Sequence, residues 1–281
     1  MVNFKESFMK IVFLIATSIS IVAVALICVF LFTGGLPAFK EIGITNFLFG
    51  KQWLPSSNLY GILPMILGSI YVTLGAIIVG VPTGVLCAIF MSYFCPKKLY
   101  KILKPAIDLL AGIPSIVYGF FGLVVIVPFM QIFLGNGKGI ITSSILLGIM
   151  ILPTIIGVSE SALASVPQSY YEGALALGAT HESSVFKTVL PAAKSGVFAA
   201  IILGIGRAIG EAMAVIMVAG NQAIIPHNIF SGVRTLTANI VLEMGYAADL
   251  HREALVATAV VLFSFILIIN LSFALIKRRL K

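Results

Sequence analysis

Two ionisable residues stand four positions apart in a run that is otherwise apolar. They are Arg207 and Glu211, within Gly204-Ile205-Gly206-Arg207-Ala208-Ile209-Gly210-Glu211-Ala212-Met213. A guanidinium at the centre of a membrane costs about 2.5–3.5 kcal/mol on insertion scales, so such residues face a cavity or a partner. On one continuous helix both side chains share a face. Two readings follow: a structural ion pair that fixes helix packing, or an arginine that lines a path. Arg before Glu is the weaker order for an intrahelical pair. Gly204, Gly206 and Gly210 also strip side chains from around the charges, which permits close helix contact or opens a passage. Both features favour the path. The glycines are not a dinucleotide fingerprint, because the last spacing is one residue too long and no strand precedes it.

A second constellation lies between Ser159 and Ser195. Pro167 opens a helix that suits Gln168 to Leu177, and Gly178 is placed to end it in a left-handed conformation. Thr180 caps a second helix with Glu182 in its first turn, and Pro191 is expected to stop it. The pattern reads as an ordinary amphipathic connector or as a rigid, bent docking knob for another protein.

The elements that must position these residues follow from composition. Of 281 residues, 60% are hydrophobic and 10% charged. A soluble domain carries about 25% charged residues, and disordered chains are polar. An all-α polytopic membrane protein is the class that remains. Six stretches reach the roughly 20 residues a spanning helix needs: 11–32, 62–94, 106–134, 140–158, 196–219 and 254–276. The second and third contain Pro64, Pro82, Pro114 and Pro128, which predicts kinks or broken ends. Arg207 falls about 16 Å into the fifth, near the midplane. The first stretch is too long for a signal-peptide core and no A-x-A site follows it, so a retained helix is expected.

Six spans put both termini on one side. That side holds Lys5, Lys10, Lys97, Lys98, Lys101, Lys104, Lys187, Lys194, Lys277, Arg278, Arg279 and Lys281, against Lys40, Lys51, Lys138, Arg234 and Arg252 on the other. The positive-inside rule makes the first side cytoplasmic. The net charge of +8 is therefore topological and not a nucleic-acid surface. The connection 33–61 holds Phe39, Phe47, Phe49, Trp53 and Tyr60, which suits a segment lying in the membrane interface. No linker or repeat divides residues 1–281, so one domain is expected.

The segment Glu172-Gly173-Ala174, then Gly178, then Leu190-Pro191 resembles the "EAA" motif of ABC importer permeases, with Gly173 and Thr188 departing from the pattern. The resemblance implies a type I permease fold in which this loop, Glu172 through Pro191, couples to a separate ATPase. Consistently, the chain has no phosphate-binding G-x-x-x-x-G-K-[ST] loop; Gly135-Asn136-Gly137-Lys138-Gly139 has the wrong spacing. The string from Gly206 to Val215, together with Ala111 to Gly119, Ala176 to Thr180, Trp53, Pro55, Tyr60-Gly61 and Pro64, is similar to the C-type permeases of phosphate-specific ABC importers. That family implies a heterodimer with an A-type permease, two copies of a cytoplasmic ATP-binding subunit, an extracytoplasmic phosphate-binding protein, and a bacterial or archaeal plasma membrane. Inorganic phosphate is then the substrate, Arg207 its counter-charge in the path, and Glu211 either a neutraliser of Arg207 or an acceptor for a phosphate O–H. A permease for molybdate or sulfate is the alternative; a stand-alone channel would leave the loop unexplained.

No catalytic or metal-binding set is present in the sequence. His181, His227 and His251 lack ligand spacing, Asp108 and Asp249 fall on opposite sides, and Gly157-Val158-Ser159-Glu160-Ser161 fails the nucleophile elbow. Cys28, Cys87 and Cys95 read as packing residues. No cofactor is expected.

Overall fold

Long apolar helices dominate the computed structural model, which describes residues 4–279. Lys281 lies outside the described residues, as do the side chains of Lys5, Lys277, Arg278 and Arg279. Helix α1 (Phe4–Ile42) leads to a short α2 (Ile44–Phe49) and a hairpin of β1 (Trp53–Leu54) and β2 (Leu59–Tyr60), with Trp53 opposite Tyr60. Helix α3 (Leu63–Ile89) ends in a π turn, Phe90–Phe94. Next come α4 (Lys97–Gly112), α5 (Ser115–Phe121), a π turn Gly122–Ile126, α6 (Val127–Leu134) and α7 (Ile140–Ala164). The connection that follows holds α8 (Gln168–Ala176), α9 (His181–Ser184), a π turn Val185–Val189 and α10 (Leu190–Ala192). The chain finishes with α11 (Lys194–Gly210), α12 (Met213–Val218), α13 (Leu236–Glu243) and α14 (Asp249–Arg279). Among the described residues five segments are long and apolar enough to cross a membrane, and the bent pair that ends in α11, taken as one span, makes a sixth.

Helix α7 is the centre. Of its spanning window 67% is buried, against 0% for α1. Small residues let its neighbours approach closely, the usual device where lipid gives no hydrophobic drive to helix association. A Cβ on Gly80 would meet Ile151 at 2.7 Å, and one on Gly84 would meet Ile155 at 2.8 Å. From α11, a Cβ on Gly204 would meet the same Ile155 at 2.8 Å. Helices α3 and α11 therefore converge on α7 at Ile151 and Ile155. The far end of α1 packs on α14 in the same way, through Gly35 against Ala257 and Val260.

Several expected boundaries change. Span one continues to Ile42, because Gly34 and Gly35 seat residues 33–42 against α14 instead of leaving them as a loop. Span three starts at Ser115, not Ala106: Pro114 holds Ile113 in an extended conformation (φ −69°, ψ 126°), so 97–112 becomes a separate helix. Span four runs on to Ala164, so residues 159–164 of the expected connection are helical. Of the aromatics expected to lie in the membrane interface, Phe47, Trp53 and Tyr60 are buried instead, in a cluster with Ile62, Leu236 and Leu255. Pro191 does not stop the helix before it. The π turn ahead of it widens the backbone, with Leu190 N–H reaching Val185 O, and the sharp bend of 72° falls just beyond, at Ala193.

Candidate functional site

Span five is broken at the ionisable pair. Helix α11 ends at Gly210, Glu211 is extended (φ −72°, ψ 129°), and α12 begins at Met213. The expectation that Arg207 and Glu211 share one helical face is therefore corrected, and among the described residues no ion pair joins them. Arg207 instead donates from Nη1 to Thr154 Oγ1 on α7 at 3.0 Å. A guanidinium has five N–H donors, so this bond leaves most of the fork available.

Glu211 works on the break itself. Its Oε1 accepts from the backbone N–H of Ala214 at 3.1 Å, which satisfies an otherwise orphaned donor at the start of α12. Its carbonyl accepts from Thr237 Oγ1 on α13 at 2.8 Å. The carboxylate thus caps α12, while the backbone carbonyl of the same residue ties the break to α13.

Around Arg207 the glycines have unequal surroundings. Gly204 is pressed on Ile155, whereas Gly206 and Gly210 have nothing within 4 Å of an added Cβ. Leu203, Gly210 and Met213 are exposed and Arg207 is partly exposed. One side of α11 is therefore packed on α7, and the other is a bare strip beside a guanidinium about 20 Å along the helix from Lys194. Such a strip leaves the guanidinium open on one side of the helix.

The connection after span four forms a rigid elbow. Helix α8 ends in a Schellman motif: Gly178 N–H bonds Leu175 O at 2.9 Å, Ala179 N–H bonds Ala174 O at 3.1 Å, and Gly178 has φ +87°. Thr180 Oγ1 then accepts from Ser183 N–H and caps α9, as the sequence predicts. Tyr171 and His181 join the two arms through a hydrogen bond of 2.6 Å, and His181 stacks edge-on with Phe94 at the end of α3. Glu172, Gly173, Gly178 and Pro191 are exposed, Ala174 is half-buried, and Leu190 packs into the cluster beneath. Leu177, 91% exposed beside Gly178, is the tip of the elbow; sequence reading passed over it because an apolar residue in an amphipathic pattern carries no label of its own. The carboxyl of Glu182 is held below the ordinary carboxylate range, chiefly by its own backbone N–H and then by the Thr180 hydroxyl.

A third polar group was also missed. Glu243, which no motif marks in the sequence, is buried and accepts from Trp53 Nε1 at 2.8 Å and from Arg234. His251 Nε2 lies 2.9 Å from Oε2, the oxygen that also accepts from Trp53, and Arg234 is on Oε1. Its partners are spread from residue 53 to residue 251, too far apart for any spacing rule. Among the described residues no group of side chains is arranged to hold a metal ion.

Residues 80–281 match the family described as the binding-protein-dependent transport system inner membrane component. The chain belongs to this family. It is a multi-pass transport subunit of the inner membrane and not an enzyme. A relative named as a probable ABC transporter permease, YqgH of Bacillus subtilis, is 41% identical, with 90% of this chain and 85% of the relative covered. The phosphate transport system permease protein PstC of Mesorhizobium japonicum is 34% identical, covering 84% and 79%. A probable PstC of Methanocaldococcus jannaschii is 30% identical, covering 93% and 90%. Among solved structures, a chain of the bacterial alginate ABC transporter superposes with TM-score 0.66 at 16% identity, covering 99% of this chain and 98% of that one. The MetNI methionine transporter gives TM-score 0.65 at 21% identity, covering 82% and 100%. These likenesses establish the type I importer permease fold.

Proposed function

We propose that this binding-protein-dependent permease carries inorganic phosphate. The reading rests on relatives named for phosphate transport that align over most of the chain, and on Arg207 standing beside a bare glycine strip deep in span five. Phosphate is a mono- or dianion near neutral pH and would face a severe desolvation penalty in hydrocarbon. One guanidinium offsets that penalty with opposite charge and a planar donor fork. One arginine per chain also keeps binding weak enough for the ion to leave.

On this reading both termini and the elbow are cytoplasmic, as the lysine distribution requires. An A-type permease faces the strip on α11 and completes the passage. Two copies of an ATP-binding subunit dock on the elbows, where Glu172, Gly173, Ala174, Gly178, Leu190 and Pro191 define the shape and Leu177 the tip. An extracytoplasmic phosphate-binding protein delivers the ion to the opposite side. Closure of the ATPase pair moves the elbow, and the close glycine contacts carry that movement through α7 and α11 as rigid bodies, so that access alternates.

Labelled-phosphate uptake by phosphate-starved cells, with and without the chain, tests the proposal. Loss of uptake on deletion, with sulfate and molybdate failing to compete, is the expected result. Undiminished phosphate uptake moves the substrate to another anion.

A further inference from the structure

Helix α4 has no residue buried, although it sits between two spans. Its faces are distinct. Tyr100 and Ile107 pack on the cluster of Met91, Leu163 and Val189. Lys104 Nζ bonds Glu160 on α7 at 2.9 Å and pairs with Asp108 at 3.4 Å, while Tyr100 also bonds Glu160. These contacts fix which way the helix is turned. With 3.6 residues per turn, Lys97 and Lys101 then share a second face with Asp108. Leu99, Ile102, Ala106 and Leu109 form a stripe on the face opposite, with Lys98 at its border. The stripe is bare: Ile102 is 69% exposed and Leu109 73%.

The place of α4 in the chain supplies the surroundings. Span two ends at Phe94 and span three begins at Ser115, so α4 lies at the edge of the hydrocarbon on the basic side. We infer that α4 lies flat in that leaflet. Its Leu99, Ile102, Ala106 and Leu109 stripe enters the acyl boundary, and the ammonium groups of Lys97, Lys98 and Lys101 rest on anionic phospholipid headgroups. A basic helix with a continuous apolar stripe has this behaviour in general, and each lysine near an anionic surface adds to it. The stripe is wholly aliphatic and lacks the aromatic, Met and Arg anchors that enrich protein–protein contacts. Charge complementarity therefore favours lipid over a second protein. Because Glu160 ties α4 to α7, the lipid contact also fixes the membrane end of the central helix beside the elbow.

The test uses the assembled complex in nanodiscs, with Cys28, Cys87 and Cys95 replaced by serine. Nitroxide labels go singly on Ile102→Cys, Leu109→Cys and Lys98→Cys. Labels at 102 and 109 are expected to relax with oxygen and resist a water-soluble nickel chelate, and the label at 98 to do the reverse. Shielding of 102 and 109 from both reagents shows that a protein covers the stripe and overturns the inference; nickel access at 102 and 109 places α4 in water and overturns it equally. The headgroup preference is read separately. Native mass spectrometry of complexes from mixed phosphatidylcholine and phosphatidylglycerol should show phosphatidylglycerol retained by the unaltered chain. The triple variant Lys97→Gln, Lys98→Gln, Lys101→Gln should lose at least half of it. Equal retention by the two overturns the role of the lysines.

Discussion

Trp53 donates its indole N–H to Glu243 at 2.8 Å, although the two stand 190 positions apart in the chain. The bond joins the hairpin after span one to the helix after span five. Arg234, also on Glu243, and His251, at the start of α14, bring a third and fourth part of the chain to the same carboxylate.

Glu243→Ala should therefore loosen this end of the molecule as a whole. It leaves Arg234, whose side chain is only 18% exposed, without its anion. Removing one member of a buried pair costs about 3–5 kcal/mol. A clear fall in thermal midpoint is expected in detergent. Trp53, the single tryptophan, should shift its emission to the red in the same variant as its pocket opens.

Arg207→Gln should stop transport without dismantling the protein. A charge-assisted hydrogen bond contributes about 1.5–3 kcal/mol, so uptake should fall at least about tenfold. Co-purification of the partner subunits should be unchanged, since among the described residues the arginine's side chain makes one hydrogen bond, to Thr154. Normal uptake in this variant would remove Arg207 from the path.

The glycines of α11 should separate packing from passage. Gly204→Val drives a side chain into Ile155, and overpacking of this kind costs about 1–3 kcal/mol. Gly206→Leu meets open space. It should leave the thermal midpoint intact and lower uptake by filling the passage. Equal thermal midpoints for the two variants would contradict the difference in their surroundings.

Gly178→Ala should distort the elbow at a stated cost. Nothing crowds the position, so the penalty is conformational, about 1–2 kcal/mol for a left-handed residue with a Cβ. Recovery of the ATP-binding subunit in pull-downs should fall, and more so for Leu177→Asp, which puts a charge on the apolar tip.

Stability should depend on pH through the contacts of α4 and α9. Lys104 has its pKa raised above 10.5, chiefly by the hydrogen bond to Glu160. Its stabilising effect is complete below that value and lost as pH rises through the raised one. Lys104→Met should unfold earlier than the unaltered chain at neutral pH and converge with it under strong alkali. Glu182, with its pKa lowered, behaves oppositely: its effect is present above pH 4.5 and lost as acid titrates it in the folded state. Glu182→Gln should thus matter at neutral pH and not in strong acid.

Much of this architecture is legible from local pattern. The apolar runs locate the spans, and Gly178 and Thr180 mark the elbow, because helix ends obey short-range rules. The breaks were harder. Pro114 was visible, but the separation of α4 from span three depends on Tyr100 and Lys104 finding Glu160, which lies 60 residues from the tyrosine. The interruption at Glu211 has no proline to announce it. It rests on hydrogen bonds from Ala214 and Thr237, the second of which appears only when the connection after span five folds back. Glu243 was missed for the same reason: burial of a charge depends on partners brought together in space.

The interruption of span five bears on how the protein is made. Helix α11 is 17 residues long and carries Arg207 near its end, and α12 adds six. Neither piece is a strong insertion signal by itself. Span four leaves the ribosome first and already presents Thr154 to the arginine and Ile155 to Gly204. Span five is thus best accommodated as the returning arm of a hairpin, with the hydroxyl that receives its guanidinium already in the bilayer.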